Sequence, residues 1–365
     1  MSRRRHLLIS CRDPGSAGHL GAVAQAAMLA PDLRVSVCAA PPALEILTAA
    51  GIAVAYPVAA SDTPEELLAA AARILAKARP DLLLTGISGP DCGIDEALLA
   101  RAERTPRLAY QDFWGYVNRS LGAAADLYLV QDDEAARLTR ERFELPSAVV
   151  GAPKYARYAA LDAAALRREF RRAHGIDERE TLIAFCGQPL WDRPGYAATL
   201  DVLFSILRRM PDHRLLLRPH PKEHSALPRL RELLERHGIR AGIVSGGDAE
   251  PLLCACDLLL SAFSNCCVDL AYLNRLANGP GATPVYLMFE PDLRATYQSW
   301  NGLDRLPPVE LGVALEIRRS VDLEPMLRRA LQPASRAACR RAARERLPDP
   351  ARAITRILEE VRARL

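Results

Sequence analysis

Leu215-Leu216-Leu217-Arg218-Pro219-His220-Pro221-Lys222-Glu223 sets an apolar run directly against a cluster of cations. Open parallel α/β sheets bind ligands in the crevice outside the carboxyl ends of their strands, so a buried strand ending in Arg, His and Lys reads as an anion site. Two prolines fix φ and remove backbone donors, which stops the strand and stiffens the turn. A second stretch has the same form. Asp257-Leu258-Leu259-Leu260-Ser261-Ala262-Phe263-Ser264-Asn265 runs into Cys266-Cys267-Val268-Asp269-Leu270-Ala271-Tyr272-Leu273. Here the strand ends in Ser and Asn where a helix begins. Ser264 or Asn265 is a natural N-cap, and free N–H groups with the helix dipole favour an anion. Asp269, four residues on, is placed to take a ribose hydroxyl. Singly, the two stretches read as a solvated basic loop and a capped helix. Together they read as consecutive strand ends of one sheet, with a diphosphate bridging Arg218 or Lys222 and the Ser264–Asn265 turn. Gly187-Gln188-Pro189-Leu190-Trp191, at the end of another strand, supplies a third wall with the backbone near Gln188 close to ligand.

At 365 residues the chain exceeds the roughly 250–300 at which single cores stop growing, so two domains are expected. Hydrophobic content of 50% and charged content of 25% fit a soluble globular protein. A net charge of +4 and the lack of an aromatic-interleaved basic stripe argue against nucleic acid. The nine cysteines lack zinc-site spacing and lie in or beside apolar runs, so they read as reduced core thiols and no metal is expected. No apolar stretch approaches membrane-spanning length, and Met1-Ser2-Arg3-Arg4-Arg5 leads straight into a strand, which points to the cytoplasm. Of 48 basic residues only Lys77, Lys154 and Lys222 are lysine. Two of these fall in segments singled out here.

Strand and helix signals alternate through the first half. Strands are expected at His6–Cys11, Leu33–Cys38, Ile52–Tyr56, Asp81–Thr85, Arg107–Tyr110 and Leu127–Val130. Helices are expected from about His19 to Leu29, Ala43 to Ala50 and Thr63 to Ala78. The rhythm pauses near 150 and restarts with strands at Thr181–Gly187, Arg214–Leu217, Gly242–Val244, Asp257–Leu260 and Val285–Phe289. This β-α repetition implies two doubly wound, Rossmann-like parallel sheets. The expected divisions are 1–155 for an acceptor-side domain, 156–178 for a linker and helix, 179–335 for a donor-binding domain, and 336–365 for a basic helical tail.

In the first domain, Asp13-Pro14-Gly15-Ser16-Ala17-Gly18-His19-Leu20 reads as a glycine-rich turn entering a helix, without dinucleotide-fingerprint spacing. Glycines there let an acceptor or donor approach the backbone, and Asp13 or His19 is a candidate general base. Gln111-Asp112-Phe113-Trp114-Gly115-Tyr116-Val117-Asn118 is either an acceptor-lining loop or one anchored by its Trp.

These residues together resemble the two-domain glycosyltransferases of the GT-B fold, closest in flavour to the branch of capsule and teichoic-acid polymerases, polysialyltransferases and Kdo transferases. Arg218-Pro219-His220-Pro221 matches that branch's His-Pro motif. Asp257 to Ser264 with Asp269, Ala271 and Leu273 resembles its phosphate-binding strand-turn-helix. Gly151-Ala152-Pro153-Lys154-Tyr155 is similar to the segment closing the first domain, and Gly15 to His19 to the N-terminal glycine loop also found in nucleotide-sugar 2-epimerases and hydrolases. The loop Asn274 to Pro284 departs from the pattern by its length. The resemblance implies two domains facing across a cleft and a metal-independent transferase, with a nucleotide-activated sugar as donor and a hydroxyl-bearing glycan, lipid or small molecule as acceptor. Catalytic roles fall to Asp13, His19 and His220. Donor contacts fall to Gly187, Gln188, Arg218, Lys222, Ser261, Ser264, Asn265 and Asp269, and acceptor contacts to Gly15, Ser16, Gly18, Asp112 and Trp114. The alternatives are a 2-epimerase or hydrolase of the same fold, or a silent nucleotide-sugar-binding partner. Peripheral contact with an anionic membrane through the basic tail or Arg3-Arg4-Arg5 is a further expectation.

Overall fold

The computed structural model describes residues 4–61, 63–89, 91–210, 212–220, 222–223 and 226–365. Pro221 of the opening motif and Arg3 lie outside the described residues. The chain divides into two units, one running up to Arg157 and completed by Pro348–Leu365, the other Tyr158–Leu347.

Among the described residues thirteen strands carry the fold: β1 Arg5–Cys11, β2 Leu33–Ala39, β3 Tyr56–Pro57, β4 Leu82–Thr85, β5 Arg107–Tyr110, β6 Leu127–Val130, β7 Ser147–Val149, β8 Thr181–Cys186, β9 His213–Arg218, β10 Ala241–Ile243, β11 Leu258–Ser261, β12 Thr283–Leu287 and β13 Leu315–Ile317. In the first unit the order is β3-β2-β1-β4-β5-β6-β7, and in the second β10-β9-β8-β11-β12-β13. Every pairing is parallel. The central strands are buried on both faces, as β4, β6 and β11 show throughout their lengths. This is why they read as continuous apolar runs rather than alternating ones.

Several expectations shift. The strand expected at Ile52–Tyr56 shrinks to two residues at the sheet edge, where only Cys38↔Tyr56 and Ala39↔Pro57 pair. Pro57 has no N–H to extend the ladder. β9 and β11 are not neighbours: β8 lies between them, though all three open on the same edge. The helix expected from His19 starts at Pro14 and runs to Met28, so the glycine-rich stretch is its first turns and not a loop. The basic tail is not a separate piece. Helix Pro333–Arg346 buries Cys339 and Ala343 in the second unit, while Ile357, Leu358 and Val361 of helix Ala353–Arg362 join the core of the first, beside Leu7, Leu20 and Leu127.

The segment expected as a linker supplies a fixed element of the second unit. Arg171, on helix Ala163–Ala173, is 1% exposed. Its guanidinium donates to Ala255 O (3.1 Å), Asp177 O (2.6 Å), Glu180 O (3.0 and 3.1 Å) and Asp257 Oδ2 (2.8 Å). Asp257 in turn accepts from Leu182 N at 2.8 Å, tying the helix to the start of β8. Without Arg171, Asp257 keeps Arg167 (3.1 Å) and Arg336 (3.4 Å), but the Ala255, Asp177 and Glu180 carbonyls lose this donor. Arg171→Ala is therefore expected to cost about 1–3 kcal/mol, read as a lowered urea midpoint. A loss below about 1 kcal/mol, the level of a surface pair, would show the tie to be dispensable.

Candidate functional site

The C-terminal edge of the first sheet gathers four carboxylates. Asp13 follows β1, Asp112 follows β5, and Asp95 and Glu96 open helix Ile94–Arg101 after β4. Asp95 is fully buried and accepts from Ser10 Oγ (2.5 Å), Arg12 N (3.0 Å) and Ser88 Oγ (3.1 Å). Glu96, 2% exposed, accepts from the Ser88 and Gly93 amides, each at 2.9 Å. Burial holds both carboxyls above the ordinary range, with the neighbouring Asp95 adding to the rise of Glu96. Neither was singled out from sequence. Acids in the first turn of a helix are commonplace there, and nothing in the sequence marks these two as buried.

Asp13, a candidate base, has both oxygens engaged: Oδ1 with Arg12 Nε (2.9 Å) and Oδ2 with Gly89 N (2.8 Å). It stands at the N-cap of helix Pro14–Met28 but makes no capping bond, because its carboxylate is already bound elsewhere. His19, the other candidate, is 5% exposed, between Tyr110 and Tyr155. Its Nδ1 accepts from Lys154 N at 3.3 Å, so in the neutral ring the proton sits on Nε2. Burial and Lys154 keep that ring well below the ordinary value. The one basic nitrogen of His19 is thus committed inside the unit, which corrects the expectation that it faces a substrate.

Ser16 and Trp114 are also corrected as acceptor contacts. Ser16 is fully buried, its Oγ accepting from Ile87 N at 3.4 Å. Trp114 is 2% exposed and its Nε1–H donates to Asp132 at 2.8 and 3.0 Å, so it anchors its loop. Gly18 lies along the Lys154 side chain.

Asp112 remains. It is half-buried, and no hydrogen bond reaches its carboxylate from another of the described residues. Burial, then Asp13, pushes it up from 3.8 to about 7. Gly15 makes room for it: a Cβ there would lie 2.0 Å from Asp112 Oδ2. A carboxyl titrating near neutrality therefore sits beside the uncapped first turn of a 15-residue helix.

In the second unit, cross-links join the strand ends. Gly187 N donates to Arg218 O (2.9 Å), Ser261 Oγ to Cys186 O (2.8 Å), and Phe263 N to Gln188 Oε1 (2.7 Å). These bonds bring the three expected segments to one edge but consume groups assigned to ligand. Ser261 is fully buried and also accepts from Ser264 N at 3.3 Å, while the backbone N–H of Gln188 goes to Tyr196 Oη at 3.0 Å. Arg218 donates through Nη1 to Gly246 O (2.9 Å) and Nη2 to Gly247 O (2.5 Å), bracing the loop after β10. Ser264 Oγ accepts from Cys266 N at 3.2 Å. His220 is half-buried, with Nδ1 accepting from Lys222 N at 3.2 Å. That bond leaves the proton on Nε2, and burial with Lys222 lowers its titration, so at neutral pH the ring is an uncharged donor. Lys222 and Asn265 are exposed, and Asp269 is half-buried on the first turn of helix Cys266–Arg275.

The nearest methyl-sized clash in the first unit is testable. Gly15→Ala places Cβ against the Asp112 side chain alone, and such overpacking is expected to cost about 1–3 kcal/mol. In the double variant Gly15→Ala/Asp112→Ala the loss should vanish, because alanine suits a helix better than glycine. A loss that persists in the double variant would place the obstruction elsewhere.

No family model and no curated protein matches this chain. Solved structures do. A UDP-GlcNAc 2-epimerase from Neisseria meningitidis bound to UDP-GlcNAc is 12% identical, with a TM-score of 0.68 over 98% of this chain and 100% of that one. A glycosyltransferase from Rickettsia africae ESF-5 is 13% identical, with a TM-score of 0.67 over 100% and 99%. MurG from Acinetobacter baumannii is 14% identical, with a TM-score of 0.65 over 99% and 100%. At such identities the likeness concerns the fold. This chain has two parallel-sheet α/β units of the GT-B type.

Proposed function

We propose that the chain is a glycosyltransferase, or a sugar- or polyol-phosphate transferase, moving a group from a nucleotide-activated donor to a hydroxyl acceptor in surface-glycan or glycoconjugate synthesis. The observation that carries this reading is Asp112, a half-buried carboxyl that takes no hydrogen bond from any other described residue and titrates near 7. A general base works best when its pKa lies near the operating pH. In this reading Asp112 takes the acceptor's hydroxyl proton as its oxygen attacks the transferred group. The bond to the leaving phosphate breaks with its electron pair passing to oxygen. His220 Nε2–H and the Lys222 ammonium stabilise that charge, in line with the His-Pro motif of the polymerase and Kdo-transferase branch. Asn265 at the helix start adds a dipole, and Asp269 takes a ribose hydroxyl. Side-chain cations then do the work that a metal does in other transferases.

A second reading, a nucleotide-sugar 2-epimerase or hydrolase, is favoured by the epimerase structures of the same fold and by the raised carboxyls of Asp95 and Glu96, which offer further acid–base groups. Acceptor dependence separates the two. Nucleotide release from UDP-, GDP-, CDP- or dTDP-sugars should require an added acceptor. Release at full rate in water alone would sink the transferase reading, and donor bound but left intact would favour a silent binding partner. Under the proposal the rate rises as pH passes upward through about 7, where Asp112 loses its proton. Asp112→Asn should flatten that rise and lower kcat by about 10²–10⁴-fold. An unchanged profile would remove Asp112 from the role.

A further inference from the structure

The long segment between helix Cys266–Arg275 and β12 has no part in the reading above, yet it builds one wall of a cavity. About 500 Å³ in volume, this cavity is lined by Ala277, Ala337, Arg340, Arg341, Arg344 and Glu345. The three arginines come from one face of helix Pro333–Arg346. Arg340 Nη2 donates to Ala277 O at 3.0 Å, and Arg344 Nη2 to Leu276 O and Ala277 O at 3.2 Å each. Those bonds hold two guanidiniums against the segment while leaving most of their donors unspent. Gly281, at φ +67, closes over the Arg340 stem, where an added Cβ would lie 3.3 Å from Cδ. A side chain other than glycine would be strained there.

None of these three arginines has an ion-pair partner among the described residues. Three positive charges against one Glu345 leave the cavity with a formal charge of +2. Arg341, Arg344 and Glu345 are exposed and Arg340 is half-buried, so water screens part of the repulsion in this open groove and a bound anion would relieve the rest. Burial and the nearby Arg344 already lower the titration of Arg340. The planar fork of arginine matches phosphate oxygens in pairs. A phosphate monoester carries close to two negative charges at neutral pH, and the volume suits a small organic molecule.

We propose that this cavity binds a phosphate monoester, carried either by a small soluble molecule or by a lipid headgroup. Neither His220 nor Lys222 lines this cavity, and the proposal does not rest on the transferase reading. Isothermal titration with glycerol 3-phosphate tests the soluble source. Co-sedimentation with phosphatidic acid vesicles, against phosphatidylcholine vesicles, tests the lipid one. Binding is expected in at least one arm and should weaken about tenfold or more in Arg341→Gln/Arg344→Gln, the loss expected when a charge-assisted bond is removed. Arg341→Gln alone changes an exposed side chain and should weaken binding in the same sense. His220→Ala/Lys222→Ala should leave it intact. No binding in either arm, or binding that survives the paired arginine change, would overturn the proposal. So would binding abolished only by the His220 and Lys222 changes.

Discussion

A buried carboxylate is tolerated only where donors converge on it, and that constraint organises the C-terminal sheet edge of the first unit. Asp95 sits in a shell of two hydroxyls and a backbone amide drawn from the ends of β1 and β4. An unpaired buried charge would cost several kcal/mol, so Ser10, Arg12 and Ser88 are fixed in place around it. The Arg12 side chain then reaches Asp13, Gly89 O and Cys92 O, closing the turn after β1. Because Asp13 is spent there, the helix that begins at Pro14 has no side-chain cap. Asp112 occupies the space against Gly15 that this arrangement leaves.

The second unit meets the same requirement with neutral groups. Gln188, Ser261 and Ser264 use their side chains to satisfy backbone atoms at the ends of β8 and β11. Such bonds contribute only about 1 kcal/mol each, but they fix the turn that carries the exposed Asn265. The two edges therefore differ in character: one carries a carboxyl with a raised titration, the other neutral donors and cations.

The strand-and-helix rhythm was readable because the inner strands are buried on both faces and so appear as unbroken apolar runs. Edge strands were poorly readable. β7 and β13 are three residues each and only partly buried, so their composition differs little from a loop. The glycine-rich stretch after β1 misled for a physical reason. Gly15 and Gly18 cost helix stability, yet Gly15 is kept because Asp112 needs its space, and that need comes from a residue 97 positions away. Residue type likewise identified Arg218, His19 and Trp114 as capable of chemistry. It could not show that Gly246, Lys154 and Asp132 already hold them. Among the described residues no other group hydrogen-bonds the Asp112 carboxylate, and only the structure distinguishes it in this from Asp13.

The proposed role of Asp112 depends on its ionisation, and a carboxyl titration reads it directly. With aspartate carboxyl carbons labelled by carbon-13, the resonance that disappears in Asp112→Asn should titrate near 7 in the native protein. A midpoint near the ordinary 3.8 would mean that the group is solvated and fully ionised at neutral pH, contradicting its place as the poised base.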